Sequence, residues 1–186
     1  MTAAEHTEAQ FKTVMAQCRE LFVKKMHDYG TAWSIMRPPS LTDQLFIKAK
    51  RIRSIEMKGC NMVGESVVGE FVAIVNYAIM GVILLRRPAE QADSLLDEAE
   101  AIRQYDQVAT DTLALMLRKN HDYDEAWRDM RVSSYTDLIM MKLYRTKQIE
   151  DHEGHTLVSE GIEANYLDML NYAVFGLIKL SLENEE

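Results

Sequence analysis

HDYGTAWSIMRPPSLTDQLFIKAKRIRSIE, residues 27–56, returns as HDYDEAWRDMRVSSYTDLIMMKLYRTKQIE, residues 121–150, with fourteen of the thirty positions identical. One residue is inserted near Gly154. After it Glu65 aligns with Glu160, and NYAIMGVILL (76–85) aligns with NYAVFGLIKL (171–180). Agreement this extended is not chance, and a repeat decides the organisation before any local reading begins. The period is too long for a common solenoid. Two copies predict duplication and fusion of an ancestral homodimer into one pseudo-two-fold chain. The repeats are placed at 1–88 and 89–186, and they are expected to share one core.

Each copy reads as three helices, which makes the fold class all-α: an internally duplicated three-helix unit forming a helical bundle. The first helix is predicted over 8–29, stopped by Gly30, and its twin over 93–123. Pro38 and Pro39 break the chain. Thr42 and Thr136, each followed by Asp, are predicted to cap the middle helices, which stop near Gly59 and Gly154. The last helices are placed at 65–86 and 159–183, with Pro88 ending the first. Residues 89–106 are acidic and amphipathic and are expected to form a helical connection. No stretch alternates with period two, so almost no strand is expected.

The bulk numbers exclude some classes. Apolar residues make up 47% of 186, enough to pack a core. The net charge of −8 argues against a nucleic-acid polymer or a membrane surface as partner. It leaves room for a single small nucleotide in a local basic pocket. Cys18 and Cys60 form no metal spacing and no disulfide framework. The polar N-terminus is unlike a signal peptide. The longest apolar run, 71–85, is short for a span and contains Asn76. A cytoplasmic protein is expected, and a further homodimer is compatible with the pattern.

Three constellations recur in both copies. The first is His27, Asp28, Tyr29 and Trp33, repeated as His121, Asp122, Tyr123 and Trp127. Aromatic faces where a helix yields to a loop can stack on a base, and His and Asp can bond its edge or a sugar hydroxyl. The alternative is that the rings plug the core. The second is Lys48 and Arg51, repeated as Lys142 and Arg145. Their i, i+3 spacing puts both cations on one helix face, where they suit a polyphosphate. The alternative is internal pairing with Asp43, Asp137 or the last helix. The third is acidic: Glu65 and Glu70 in copy one; Glu160, Glu163 and Asp168 in copy two. Carboxylates on facing helices can hold a hard ion, Mg²⁺ or Mn²⁺. The alternative for Glu160 and Glu163 is simple compensation of a helix dipole. Asp168 lies deep in an apolar helix and needs a partner. Asn76 and Asn171 also interrupt apolar runs and are expected to bond inside the core, with substrate contact the second reading.

Together these residues resemble the nucleotide modification associated domain 1 family, over nearly the whole chain. Its pattern is Lys-x-x-Asp-Tyr-Gly, then Lys-x-x-Arg, then Glu-Ser-x-x-Asp-x-x-x-Asp-x-x-Asn-Tyr. Copy one matches at Lys25, Asp28, Tyr29, Gly30, Lys48, Arg51, Glu65, Ser66, Asn76 and Tyr77. Copy two matches at Lys119, Asp122, Tyr123, Lys142, Arg145, Glu160, Asp168, Asn171 and Tyr172. The layout also resembles the MazG-like all-alpha nucleotide pyrophosphohydrolases, which bind Mg²⁺ through helix-borne Glu and Asp. Both acidic sets depart from the pattern. Gly69 and Ala73 replace the two Asp of copy one, Ala164 replaces one in copy two, and Asp124 replaces the Gly of Asp-Tyr-Gly.

The resemblance implies Mg²⁺-dependent hydrolysis of a nucleoside triphosphate to monophosphate and pyrophosphate. Glu160 and Asp168 would then be catalytic, with Glu65 and Glu163 as further metal ligands. The alternative is a non-catalytic nucleotide-binding or regulatory module with an eroded metal site. An HD-type phosphohydrolase, prompted by His27-Asp28 and His121-Asp122, lacks the further His and Asp that chemistry needs.

Overall fold

The computed structural model describes residues 2–59 and 66–183. Among them the chain forms six α-helices, three short 3-10 turns and no strand. Helix α1 is Ala3–Tyr29, α2 Pro38–Lys58, α3 Val67–Arg86, α4 Glu98–Tyr123, α5 Val132–Asp151 and α6 Ile162–Ser181. The all-α, duplicated bundle expected from the sequence is the architecture found.

The helix ends follow local chemistry, and several differ from expectation, α4 and α6 beginning later than 93 and 159, at Glu98 and Ile162. Helix α1 begins earlier than residue 8, because Thr2 and Glu5 form a reciprocal cap. The Glu5 N–H donates to Thr2 Oγ1 at 3.2 Å and the Thr2 N–H to Glu5 Oε2 at 2.7 Å. Helices α2 and α5 start at Pro38 and Val132, not at Thr42 and Thr136. Pro38 and Pro39 occupy the first turn, where an N–H is not needed and the fixed φ suits a helix. The connection is not one helix either. Pro88 stops α3, a 3-10 turn covers Ala89–Gln91, and Asp97 caps α4 by accepting from the Glu100 N–H at 3.1 Å. Between them the chain is tied down by side chains. Arg87 donates to the carbonyls of Ser34 (2.6 Å), Gln91 (2.7 Å) and Ser94 (3.0 Å), and the Leu96 N–H donates to Ser34 Oγ at 2.9 Å.

The displaced threonines mark the pseudo-two-fold axis. Both are fully buried inside their helices. Thr42 Oγ1 donates to Glu150 at 2.6 Å, and its counterpart Thr136 donates to Glu56, the counterpart of Glu150, at 2.8 Å. Matched helices pack on each other: α3 on α6, α2 on α5, α1 on α4. At the α3–α6 crossing the approach is so close that a Cβ on Gly81 would lie 2.0 Å from Tyr166 Cε1. The matched contact, Gly176 against Phe71, would leave 3.2 Å. One hydrophobic core runs through both repeats, from Phe11, Phe22 and Ile52 to Tyr135, Leu143 and Tyr166. Helix α3 is long and apolar enough to cross a membrane. Here it is the central core helix, with Phe71, Ile74, Val75, Ala78 and Ile79 at 0% exposure.

Candidate functional site

In repeat one, α1, α2, α3 and the 3-10 turn Ala32–Ile35 enclose a cavity of about 400 Å³. Phe22, Met26 and Tyr29 recur at helical spacing on one face of α1 and form one wall. Gly30, at φ 65°, stops α1 and turns the chain so that Trp33 comes back over the opening. Trp33 stands edge-on to Phe22, centroids 6.0 Å apart. Its Nε1 is buried with no hydrogen-bond partner among the described residues. Lys25, Lys48, Ser66 and Tyr77 line the rest, with Ala73 leaving space. Glu70, only 2% exposed, faces Lys48 Nζ at 3.3 Å and Arg51 Nη1 at 3.2 Å. Lys25 makes no ion pair among the described residues.

The matching region of repeat two is built differently. Asp168, the counterpart of Ala73, is inserted between Lys119 and Lys142; Lys142 Nζ donates to it at 2.7 Å. Burial pulls the Lys119 ammonium down, but the bond to Asp168 and its charge outweigh that and leave the group raised above its ordinary value. Trp127 is stacked flat on Phe175, centroids 4.3 Å apart, with the Arg128 guanidinium 4.3 Å from its ring. Arg128 is itself held by Glu125 at 2.7 Å, Glu183 at 2.5 Å and Gln10 at 2.8 Å. What is left is a hollow of about 330 Å³ lined by Leu115, Arg118, Lys119, Glu160, Ala164 and Asp168 among others, without an aromatic wall.

The profile of nucleotide modification associated domain 1 matches residues 25–85 and 119–180, the two segments that build these regions. The chain belongs to the nucleotide modification associated domain 1 family. No curated protein and no solved structure matches it.

Two copies of the domain thus carry unequal versions of one site, and the expected residues divide between them. Tyr29, Trp33 and Lys48 come together in the open cavity, with Arg51 beside Glu70. Trp127 is a core plug at 6% exposure, and Tyr123 stands out at 71%. The pairs His27–Asp28 and His121–Asp122 lie outside both hollows, each side chain more than 70% exposed. The basic pair of repeat two is split: Lys142 is buried, Arg145 exposed. Asn76 is fixed in the core, donating to the Cys18 carbonyl at 3.1 Å and accepting from the Tyr105 hydroxyl at 2.8 Å. Asn171 has an unpartnered amide among the described residues: copy one's Tyr105 contact is not matched, because Phe11 is the counterpart of Tyr105.

Among the described residues, the acidic side chains of repeat two do not assemble. Glu163 pairs with Arg86 at 2.6 Å, Glu160 is exposed, and Asp168 is taken by two ammonium groups. Glu65 lies outside the described residues. Among those described, no three His, Cys, Asp or Glu groups converge. Mg²⁺ or Mn²⁺ needs several convergent oxygen ligands, and Glu160, Glu163 and Asp168 do not supply such a set among the described residues. Lys48 and Arg51 follow the alternative of internal pairing with the last helix, and their partner is Glu70, which the sequence had offered as a candidate acidic ligand. Glu70 interrupts an apolar helix as Asp168 does, and each is matched there by a cation.

Proposed function

We propose that the protein binds a nucleoside phosphate in the repeat-one cavity and acts as a nucleotide-binding module. The observation that carries this is the meeting of an aromatic wall, Tyr29, Trp33 and Tyr77, with two lysines in one open cavity of about 400 Å³. That volume lies in the range of small-molecule sites. The base stacks on the aromatic wall. The phosphates meet Lys25 and Lys48, and the Ser66 hydroxyl at the start of α3 adds a polar contact. Glu70 holds Lys48 and Arg51 in place from below.

Mg²⁺-dependent hydrolysis of a nucleoside triphosphate to monophosphate and pyrophosphate is the second reading. The buried carboxylate of Glu70 at the cavity favours it. Metal ligation by Asp168 would require it to leave Lys119 and Lys142, which counts against Glu160 and Asp168 as its catalytic pair. The test is a titration with a panel of ribo- and deoxynucleoside triphosphates, with Mg²⁺ and with EDTA, following binding and pyrophosphate release. Binding without turnover, weakened at least tenfold by Lys48→Ala, is the expected result. Pyrophosphate release that needs Mg²⁺ would establish the second reading instead. Absence of binding by every nucleotide would overturn both.

A further inference from the structure

We propose that Asp168 is a built-in occupant. Its carboxylate fills in repeat two the position that a ligand phosphate takes in repeat one, where Ala73 replaces the Asp of the pattern, so each chain has one open oxyanion site and one that its own side chain occupies. This rests on the nucleotide reading above and adds where the phosphate sits and why only one site works.

The internal repeat supplies the comparison. Lys119 and Lys142 both donate to Asp168. Their counterparts Lys25 and Lys48 line the repeat-one cavity, where the residue matching Asp168 is Ala73. The methyl leaves the volume of a carboxylate empty in the cavity that Lys25 and Lys48 both line. The compensating charge of repeat one lies elsewhere: Glu70 faces Lys48 and Arg51, while Asn165 stands at that position in repeat two. Lys48 is thereby matched from below, and Lys25 is left with no ion pair among the described residues. An oxyanion placed over Ala73 would restore to Lys25 and Lys48 the arrangement that Asp168 gives their counterparts. A phosphate group of the nucleotide has that chemistry.

The test is calorimetric titration of the full chain with ATP and with inorganic pyrophosphate. Wild type is expected to take one equivalent of either. Ala73→Asp places the same carboxylate in repeat one and is expected to weaken both at least tenfold, with Ala73→Asn weakening them less because it adds bulk without charge. Asp168→Ala opens the second position and is expected to raise pyrophosphate uptake toward two equivalents. Ala73→Asp that binds both probes like wild type, or a folded Asp168→Ala that still takes one equivalent, would overturn the inference and leave the nucleotide reading standing. Wild type that takes up neither probe would remove the nucleotide reading and this inference together. If Asp168→Ala does not fold, the Ala73 variants decide alone, since the cavity has room for either side chain.

Discussion

Among the matched positions at which the two repeats have parted, four carry the larger side chain in repeat two: Ser34 against Arg128, Gly69 against Ala164, Ala73 against Asp168, and Met80 against Phe175. Arg128 and Phe175 close on Trp127, and Asp168 closes on two lysines. The helices and their packing are kept, while the hollow they enclose is filled. A scaffold of two matched halves can thus keep one fold while one copy fills its site with side chains and the other keeps a cavity.

The two halves can be set against each other by substitution. The largest effect is expected at the axis. Gly81→Ala drives a methyl into the buried Tyr166 ring and should cost about 3 kcal/mol or more, while Gly176→Ala, facing Phe71 at 3.2 Å, should cost about 1 kcal/mol. Urea denaturation of both variants measures the difference. Equal costs would mean that the crossing is symmetric. Next, Asp168→Asn leaves Lys142 buried without its counter-charge. A loss of about 2–3 kcal/mol is expected, moderated because Lys119 can reach water.

Smaller effects follow at the helix ends and beneath the axis. Gly30 ends α1 at φ 65°, whereas its counterpart Asp124 adopts φ 48° with a side chain. Asp124→Gly should therefore be stabilising, by about 0.5 kcal/mol, read as a higher Tm. The least effect concerns Glu56 and Glu150. Burial, outweighing their threonine hydrogen bonds, holds both above the ordinary carboxyl value. A carboxyl raised in the folded state binds its proton more tightly there than in the unfolded chain. Its contribution is fully present below the unfolded value, near 4.5, and is lost as pH rises through the raised folded one. Glu56→Gln and Glu150→Gln remove that loss. Each should be more stable than wild type at pH 7 by about 0.5 kcal/mol or less, with the advantage vanishing in acid. Thermal melts across pH that show no such convergence would mean these carboxyls are not raised.

The fold was legible because the same thirty-residue pattern occurs twice and its apolar periodicity is helical throughout. Thr42 and Thr136 misled because a threonine followed by Asp has the composition of a cap. Its use as a buried hydroxyl bonding across the axis depends on a partner more than a hundred residues away, Glu150 for Thr42. The connection misled because acidic amphipathic composition does not reveal that Arg87 and Ser34 pin the chain in a non-helical path. At the site, Lys48 and Arg51 were readable from spacing alone. The asymmetry was not. Trp33 and Trp127 share the pattern Asp-Tyr-x-x-Ala-Trp, and it takes Phe175 from a distant helix, with Arg128 beside it, to turn one of them into a plug.

The chain has two tryptophans, one in each version of the site. A fluorescence titration of Trp127→Phe and Trp33→Phe with nucleoside triphosphates therefore reports on the two regions separately. Saturable quenching is expected in Trp127→Phe, where Trp33 lines the open cavity, and no response is expected in Trp33→Phe, where the remaining ring is packed between Phe175 and Arg128. A saturable response from Trp127 with none from Trp33 would contradict the assignment of the working site to repeat one.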